Sequence, residues 1–293
     1  MKNKIDGVFL LNKPLGLSSN TALQKVKRIY KAQKAGHTGT LDPLATGLLP
    51  ICFGEATKFA KYLLESNKEY IATIKLGEAT TTYDSEGEII FSGKVNVTIN
   101  EIRQALLKFT GEINQIPPIY SALKVNGKAL YEYARNNEEV IINSRPIHIY
   151  VNELLEFVAP NIIKIKVRCS KGTYIRTLAH DIGVYLGCGA HLVGLVRTKT
   201  NNFDLDNSTN LDDLSTMSEA MHITLVLPVD ILVQHLSRID LTTDEFKYVK
   251  NGHKFYSKAT NLGQIRLYYD DHFLGIANLI NNYICPVRLI VTN

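Results

Sequence analysis

GHTGTLDPLATGLLP, residues Gly36 to Pro50, sets a single carboxylate, Asp42, between Gly39 and Gly47 and directly before Pro43. Read locally, Asp followed by Pro predicts a helix start, with Asp42 as N-cap and Pro43 at the first helical position, where a missing N–H costs nothing. His37 belongs to the same stretch, and a lone histidine of this kind is more often structural than functional. The residues just before it, KVKRIYKAQK, place Lys25, Lys27, Arg28, Lys31 and Lys34 in ten positions without an acid. Such a run is either a solvated helix face or a surface that meets phosphates.

Working outward, GVFLLN (Gly7 to Asn12) predicts a short buried strand, stopped by Lys13-Pro14. Ser18, Ser19, Asn20 and Thr21 offer caps for a helix in which Leu23, Val26 and Tyr30 recur at helical spacing and the lysines face outward. Tyr70 to Leu76, rich in β-branched residues and bounded by Gly77, predicts a strand that carries Lys68 and Tyr70 on one face. A helix is expected from Glu101 to Phe109. Beyond it, QIPPIYSALKVNGKALYEYAR interleaves Tyr120, Tyr131 and Tyr133 with Lys124, Lys128 and Arg135, a mixture that suits stacking on bases and pairing with phosphates. Tyr131 and Tyr133 equally fit the core side of a short helix. IIKIKVRC (Ile162 to Cys169) reads as a half-buried strand with a basic outer face. In SKGTYIRTLAHDIGVYLG the period changes to a helical stripe of Ile175, Leu178, Ala179, Ile182 and Leu186, with Thr173 as its expected cap. Arg176 then falls in the first turn, where a cation opposes the helix dipole by about 0.3 to 1 kcal/mol, so an anion is expected to meet it.

The chain has 293 residues, 45% hydrophobic and 21% charged, with a formal net charge of +5. This is ordinary globular composition for one large domain plus a small one, or for two medium ones, and the mild basicity is weak evidence for a polyanionic partner. No apolar run reaches membrane-spanning length and the first residues do not read as a signal peptide, so a cytoplasmic protein without a membrane partner is expected. Cys52, Cys169, Cys188 and Cys285 stand singly, with no C-x-x-C pair for zinc or redox chemistry. Beyond Leu236, short β-like pieces (FYSKA, QIRLYY, FLGIANL, YICPVRLI) predict a small β domain of about sixty residues.

Taken in order, GVFLLNKPLGLSSN, GHTGTLDPLATGLLPICFGEATK, KEYIATIKLG, QIPPIYSALKVNGKALYEYAR and SKGTYIRTLAHDIG resemble bacterial tRNA pseudouridine synthases of the TruB type, and the resemblance extends over nearly the whole chain. It implies an α+β fold: a catalytic domain over 1–235, built on a mixed, mainly antiparallel sheet flanked by helices, with an RNA-gripping insertion near 111–150. It also implies a PUA-like β barrel over 236–293. The implied activity is isomerisation of the T-loop uridine, position 55 in the TΨC arm of transfer RNA, by a monomer without metal or organic cofactor. The resemblance makes Asp42 the essential carboxylate, as nucleophile or as agent of a glycal route. Arg176 is implied as its orienting partner, keeping its pKa low through a planar two-pronged pair, and Tyr70 as the ring that stacks on the flipped base and a candidate proton acceptor. Tyr174, Leu195, Lys13 and Lys68 are implied in the substrate pocket, and His37 as a prop for the opened loop. Lys25, Arg28, Lys31, Lys34, Lys124 and Lys128 are left for the RNA backbone. Two other readings exist. GHTGT is a degenerate H-x-G-H nucleotidyltransferase motif with Thr40 at the second histidine, and the basic stretches also suit a non-catalytic RNA-binding or RNA-folding protein.

Overall fold

The computed structural model describes residues 2–158, 160–259 and 263–290. The chain opens with β1 (Gly7–Lys13), α1 (Ser19–Ile29), the short β2 (Ala35–His37), β3 (Ala45–Phe53), α2 (Ala60–Leu64) and β4 (Lys68–Leu76). A small hairpin, β5 (Glu78–Thr80) with β6 (Ile89–Ser92), leads to α3 (Ile99–Lys108) and β7 (Gly111–Gln115). The two-residue strands β8 (Lys124–Val125) and β9 (Lys128–Ala129) and helix α4 (Leu130–Arg135) project before β10 (Arg145–Val158), β11 (Ile162–Cys169), α5 (Ile175–Tyr185) and β12 (Ala190–Thr200).

The main sheet runs β1-β3-β12-β4-β11-β10-β7, with Thr209–Asn210 added outside β1. Only the β3–β12 pairing and the one outside β1 are parallel; the other pairings along this path are antiparallel. Strand β3 is an interior strand of this sheet and is apolar almost throughout, as a strand covered on both faces must be. Its outward partners change at Pro50: β12 pairs as far as Gly47 and β2 begins at Ile51, so the proline's missing N–H falls between them. Helices α1, α3 and α5 bury Leu23, Val26, Ile102, Leu106, Leu178 and Ile182 against one face, together with Tyr70, Ile74, Ile165 and Val167. A second sheet, of Ser237–Asp240, Gly263–Tyr269, His272–Ile280, Tyr283–Leu289 and Phe255–Tyr256, forms the C-terminal β unit. It has a core of its own around Leu241, Ile265, Leu267 and Leu279.

Three local expectations are corrected. Asp42-Pro43 starts no helix; the Asp42 carbonyl accepts the Ala45 N–H at 3.0 Å, closing a turn that feeds β3. Asp-Pro initiates turns as readily as helices, and the buried strand after it decides between them. Thr173 does not cap α5, because its hydroxyl donates to the Ser170 carbonyl at 3.0 Å and Tyr174 is the N-cap. The 101–109 helix begins two residues earlier, where Thr98 and Glu101 form a capping box. Of the segment 111–150, strand β7 and the first residues of β10 belong to the main sheet, so the part that projects from it is 116–144.

Candidate active site

The turn at 38–44 lies over the ends of β4 and β12 and is pinned from three sides. The Ser19 hydroxyl accepts the Leu41 N–H at 2.7 Å and donates to its carbonyl at 2.9 Å. Gly16 N–H donates to the Pro43 carbonyl at 2.8 Å. From below, Arg197, a buried arginine in β12, donates to the carbonyls of Leu48 (2.7 Å) and Gly39 (3.1 Å). Gly47 makes this approach possible: at φ +99° a side chain there would stand 2.4 Å from the Arg197 carbonyl.

Below this turn a cavity of about 370 Å³ is lined by Asp42, Tyr70, Tyr174, Arg176, Leu195, Arg197 and Ser121, among others. Arg176, the second residue of α5, points back into it. Its Nε stands 3.0 Å from Asp42 Oδ2, and its Nη1 stands 3.2 Å from Oδ2 of buried Asp84 and donates to the Thr82 carbonyl at 3.2 Å. Its Nη2 donates to the Tyr120 carbonyl at 2.9 Å, tying the projecting 116–144 segment to the same guanidinium. The expected cation–anion meeting is therefore present, but the arginine divides itself between two carboxylates instead of gripping one with both prongs. The expectation for the pKa of Asp42 is also corrected. Burial raises it above the usual carboxylate value, and nearby Asp84 adds to this, while Arg176 and Lys13 oppose the rise.

Burial likewise raises the Tyr70 phenol, with Arg197 opposing through a hydrogen bond, so this hydroxyl stays protonated near neutrality. Lys68 lines the cavity, yet its ammonium donates to the carbonyls of Leu63 (2.8 Å), Leu64 (2.8 Å) and Ser66 (2.6 Å). All three of its protons serve the end of α2, so it fixes the wall instead of offering a donor to a ligand. Burial lowers its pKa to about 8. Lys13 lies outside the cavity lining and donates to the carbonyls of Pro14 (2.9 Å) and Leu17 (2.6 Å), bracing the loop that carries Gly16. Its pKa is also lowered to about 8 by burial, against the pull of Asp42. His37 lies on β2, away from the lining, and burial followed by Arg197 keeps its pKa below the usual histidine value. Among the described residues its Nδ1 is buried without a hydrogen-bond partner, as is the hydroxyl of Ser121, a residue of the cavity wall.

Lys25, Arg28, Lys34 and Lys124 are exposed. Lys31 is ion-paired with Glu219, and Lys128 with Glu138 at 2.6 Å while its ammonium lies over the Tyr133 ring. Asp84, Arg197 and Gln115 were not singled out from sequence. Gln115 is buried at the end of β7, accepts the Tyr174 N–H at 2.8 Å and donates to the Tyr174 carbonyl at 3.0 Å, supplying the helix start that Thr173 does not. The signals were present: an arginine amid the apolar alternation of β12, and an aspartate in the turn cluster TTTYDSEGE.

A mixed sheet on which a buried arginine meets a half-buried aspartate from a glycine-bounded turn, with a tyrosine beside them and a terminal β unit, is the architecture that the resemblance to pseudouridine synthases implies. Residues 27–175 match the TruB family pseudouridylate synthase N-terminal domain, and residues 176–234 match the tRNA pseudouridylate synthase B C-terminal domain. The chain belongs to the TruB family of pseudouridylate synthases. It is 48% identical to the tRNA pseudouridine synthase B of Aromatoleum aromaticum over 98% of this chain and 94% of that one. It is also 48% identical to the protein of the same name from Neisseria meningitidis serogroup B, over 94% and 91%. Among solved structures, a chain in a Cbf5-Nop10-Gar1 complex matches with a TM-score of 0.72 and 26% identity over 97% of this chain and 84% of that one.

Proposed function

We propose that the enzyme isomerises the T-loop uridine, position 55, of transfer RNA to pseudouridine, with Asp42 as the essential carboxylate. The observation that carries this reading is the Asp42–Arg176 contact at the cavity, in a chain whose relatives are named tRNA pseudouridine synthase B. In the reaction the N1–C1′ bond breaks, the freed uracil turns, C5 bonds to C1′, and the proton leaving C5 is balanced by one gained at N1. Attack on C1′ and a glycal route both require an ionised carboxylate at the sugar, and Arg176 favours that form of Asp42 against the burial that disfavours it.

A uridine inside a structured loop must be flipped out, at a cost of a few kcal/mol that stacking and hydrogen bonds in the pocket offset. Tyr70 supplies the stacking face, with Tyr174 and Leu195 as further walls and the unpartnered Ser121 hydroxyl as a group free to bond the base. Because burial keeps the Tyr70 phenol protonated, its hydroxyl can donate a hydrogen bond in the pocket and could take a sugar proton only after losing its own. His37, on β2 outside the cavity lining, props the opened loop. The exposed Lys25, Arg28, Lys34 and Lys124 meet the phosphates of the T-arm, and the C-terminal β unit, 236–293, adds affinity for the same RNA. The enzyme acts as a monomer in the cytoplasm, with no cofactor. Incubation with an unmodified transfer RNA transcript, followed by chemical labelling and primer extension, tests the whole reading. The expected product is pseudouridine at the T-loop uridine with nothing else added, and no product, or product only elsewhere, overturns it.

A further inference from the structure

Tyr83 adopts φ +64°, a left-handed backbone that a bulky aromatic residue rarely takes. Its backbone is tied there on both sides. Its N–H donates to the Thr80 carbonyl at 3.2 Å, its carbonyl accepts the Leu192 N–H at 3.0 Å, and the Ser85 N–H returns to the Leu192 carbonyl at 3.0 Å. Its ring lies flat on His180, with centroids 4.0 Å apart and planes at 17°. His180 is four residues beyond Arg176 on α5, so both project from one face of the helix, one turn apart. Two successive residues of the turn, Tyr83 and Asp84, thus meet two successive positions of that face, one by stacking and one by charge.

The order along the chain gives the stack its consequence. Rotation at Tyr83 redirects everything after it, and Asp84 comes next. Were the backbone at 83 to relax to negative φ, the Asp84 carboxylate would leave Arg176 Nη1, and the guanidinium would lose its one charged contact at the end opposite Asp42, keeping there only the carbonyls of Thr82 and Tyr120. Strain held by surrounding structure is a recurrent feature of functional sites, and here it faces the reacting pair. The His180 Nδ1 is buried with no hydrogen-bond partner among the described residues, so packing against Tyr83, more than polar bonding, sets the orientation of the ring.

We infer that Tyr83 and His180 are positioning residues: their stacked rings hold the strained turn on α5 so that Asp84 stays on Arg176 and Arg176 stays on Asp42. The inference rests on Asp42 and Arg176 being the reacting pair, and an inactive wild-type enzyme in the same assay would defeat that reading first. The test is single-turnover pseudouridine formation at saturating transfer RNA transcript, with affinity measured separately. Tyr83→Ala and His180→Ala are each expected to slow the step about tenfold while affinity stays within about threefold. The double variant is expected to be no slower than either single one, because both remove the same contact. Tyr83→Phe and His180→Phe keep a stacked pair of rings and are expected to retain near wild-type rates. Should an alanine variant fail to fold, His180→Gln gives the same comparison with a planar side chain that lacks the ring. Wild-type rates in the ring-deleted variants, additive losses in the double variant, or no rescue by phenylalanine overturn the inference.

Discussion

Arg176 stands 3.0 Å from Asp42 through Nε and spends the rest of its guanidinium on Asp84 and two backbone carbonyls. The fork is thus used to span two carboxylates 42 residues apart in sequence and to tie down the projecting segment through Tyr120. Lysine keeps the charge but cannot span them. Arg176→Lys is therefore expected to slow single-turnover pseudouridine formation by about a hundredfold or more, with transfer RNA affinity changed by less than about threefold. A near-normal rate in that variant would remove Arg176 from the chemistry.

How much of this was legible before folding depended on the range of each contact. Asp42, Tyr70 and Arg176 stand inside long consecutive motifs, and α1 and the strands GVFLLN and IIKIKVRC announced themselves by period and caps. Asp84 and Gln115 take their meaning only from partners 92 and 59 residues away, and no local pattern encodes such pairs. Asp42-Pro43 and Thr173 were misread for a different reason. Each local sequence satisfies two conformations equally, and tertiary contacts chose between them: Ser19, Gly16 and Arg197 for the turn, Gln115 for the helix start.

With Asp42 as the essential carboxylate proposed above, activity and stability depend on pH in opposite senses. Its folded pKa lies above the ordinary value because burial outweighs Arg176, so the folded state favours the protonated carboxyl, and that contribution is lost as pH rises through the raised pKa. Asp42→Asn is expected to abolish turnover, by more than about a thousandfold, while binding stays within about tenfold. The same variant is expected to melt at a higher temperature than the wild type at neutral pH, with the difference shrinking towards acid. Equal melting temperatures across that range would show that the carboxylate is not destabilised in the fold.

Asp181, on α5 beside His180 and outside the cavity lining, offers a second titration. Burial raises its pKa to about 6, so the protonated form stabilises the fold below the ordinary aspartate range and that contribution is lost as pH rises through 6. Asp181→Asn is expected to stabilise the protein at pH 8 by on the order of 1 to 2 kcal/mol, after allowance for solvent screening, and to change little near pH 4. Denaturant melts at the two pH values measure the difference, and a gain of equal size at both would assign the effect to something other than this carboxyl.

Gln115 holds both backbone groups of Tyr174, two residues before Arg176, and so sets where α5 begins. Gln115→Leu leaves the Tyr174 N–H without its partner, while the carbonyl keeps the Leu178 N–H at 3.1 Å, and is expected to cost about 1 to 3 kcal/mol of stability. Because the helix start also aims the arginine, the single-turnover rate is expected to fall more than affinity does. Gln115→Glu retains an acceptor for the Tyr174 N–H but sets a second acceptor against its carbonyl, and is expected to rescue only part of the stability. A stability loss with an unchanged rate would confine Gln115 to the fold.

The basic helix is separable from the cavity by salt. Each phosphate contact releases counterions, so affinity falls with salt at a slope of about 0.9 per contact on duplex RNA, taking the duplex value for DNA as a guide. Lys25 and Lys34 are exposed on or just after α1, whereas Lys31 is already ion-paired with Glu219. Replacing Lys25 and Lys34 together by Gln is expected to flatten the slope by about one to two units and leave the saturated rate unchanged. Lys31→Gln alone is expected to move it less. Glu219→Gln frees the Lys31 ammonium from a surface pair that holds it only weakly, and is expected to steepen the slope. If neither change alters the slope, the run is a solvated helix face, and the path of the RNA backbone must be sought along Lys124 and Arg168, nearer the rim formed by Ser170 and Gly172.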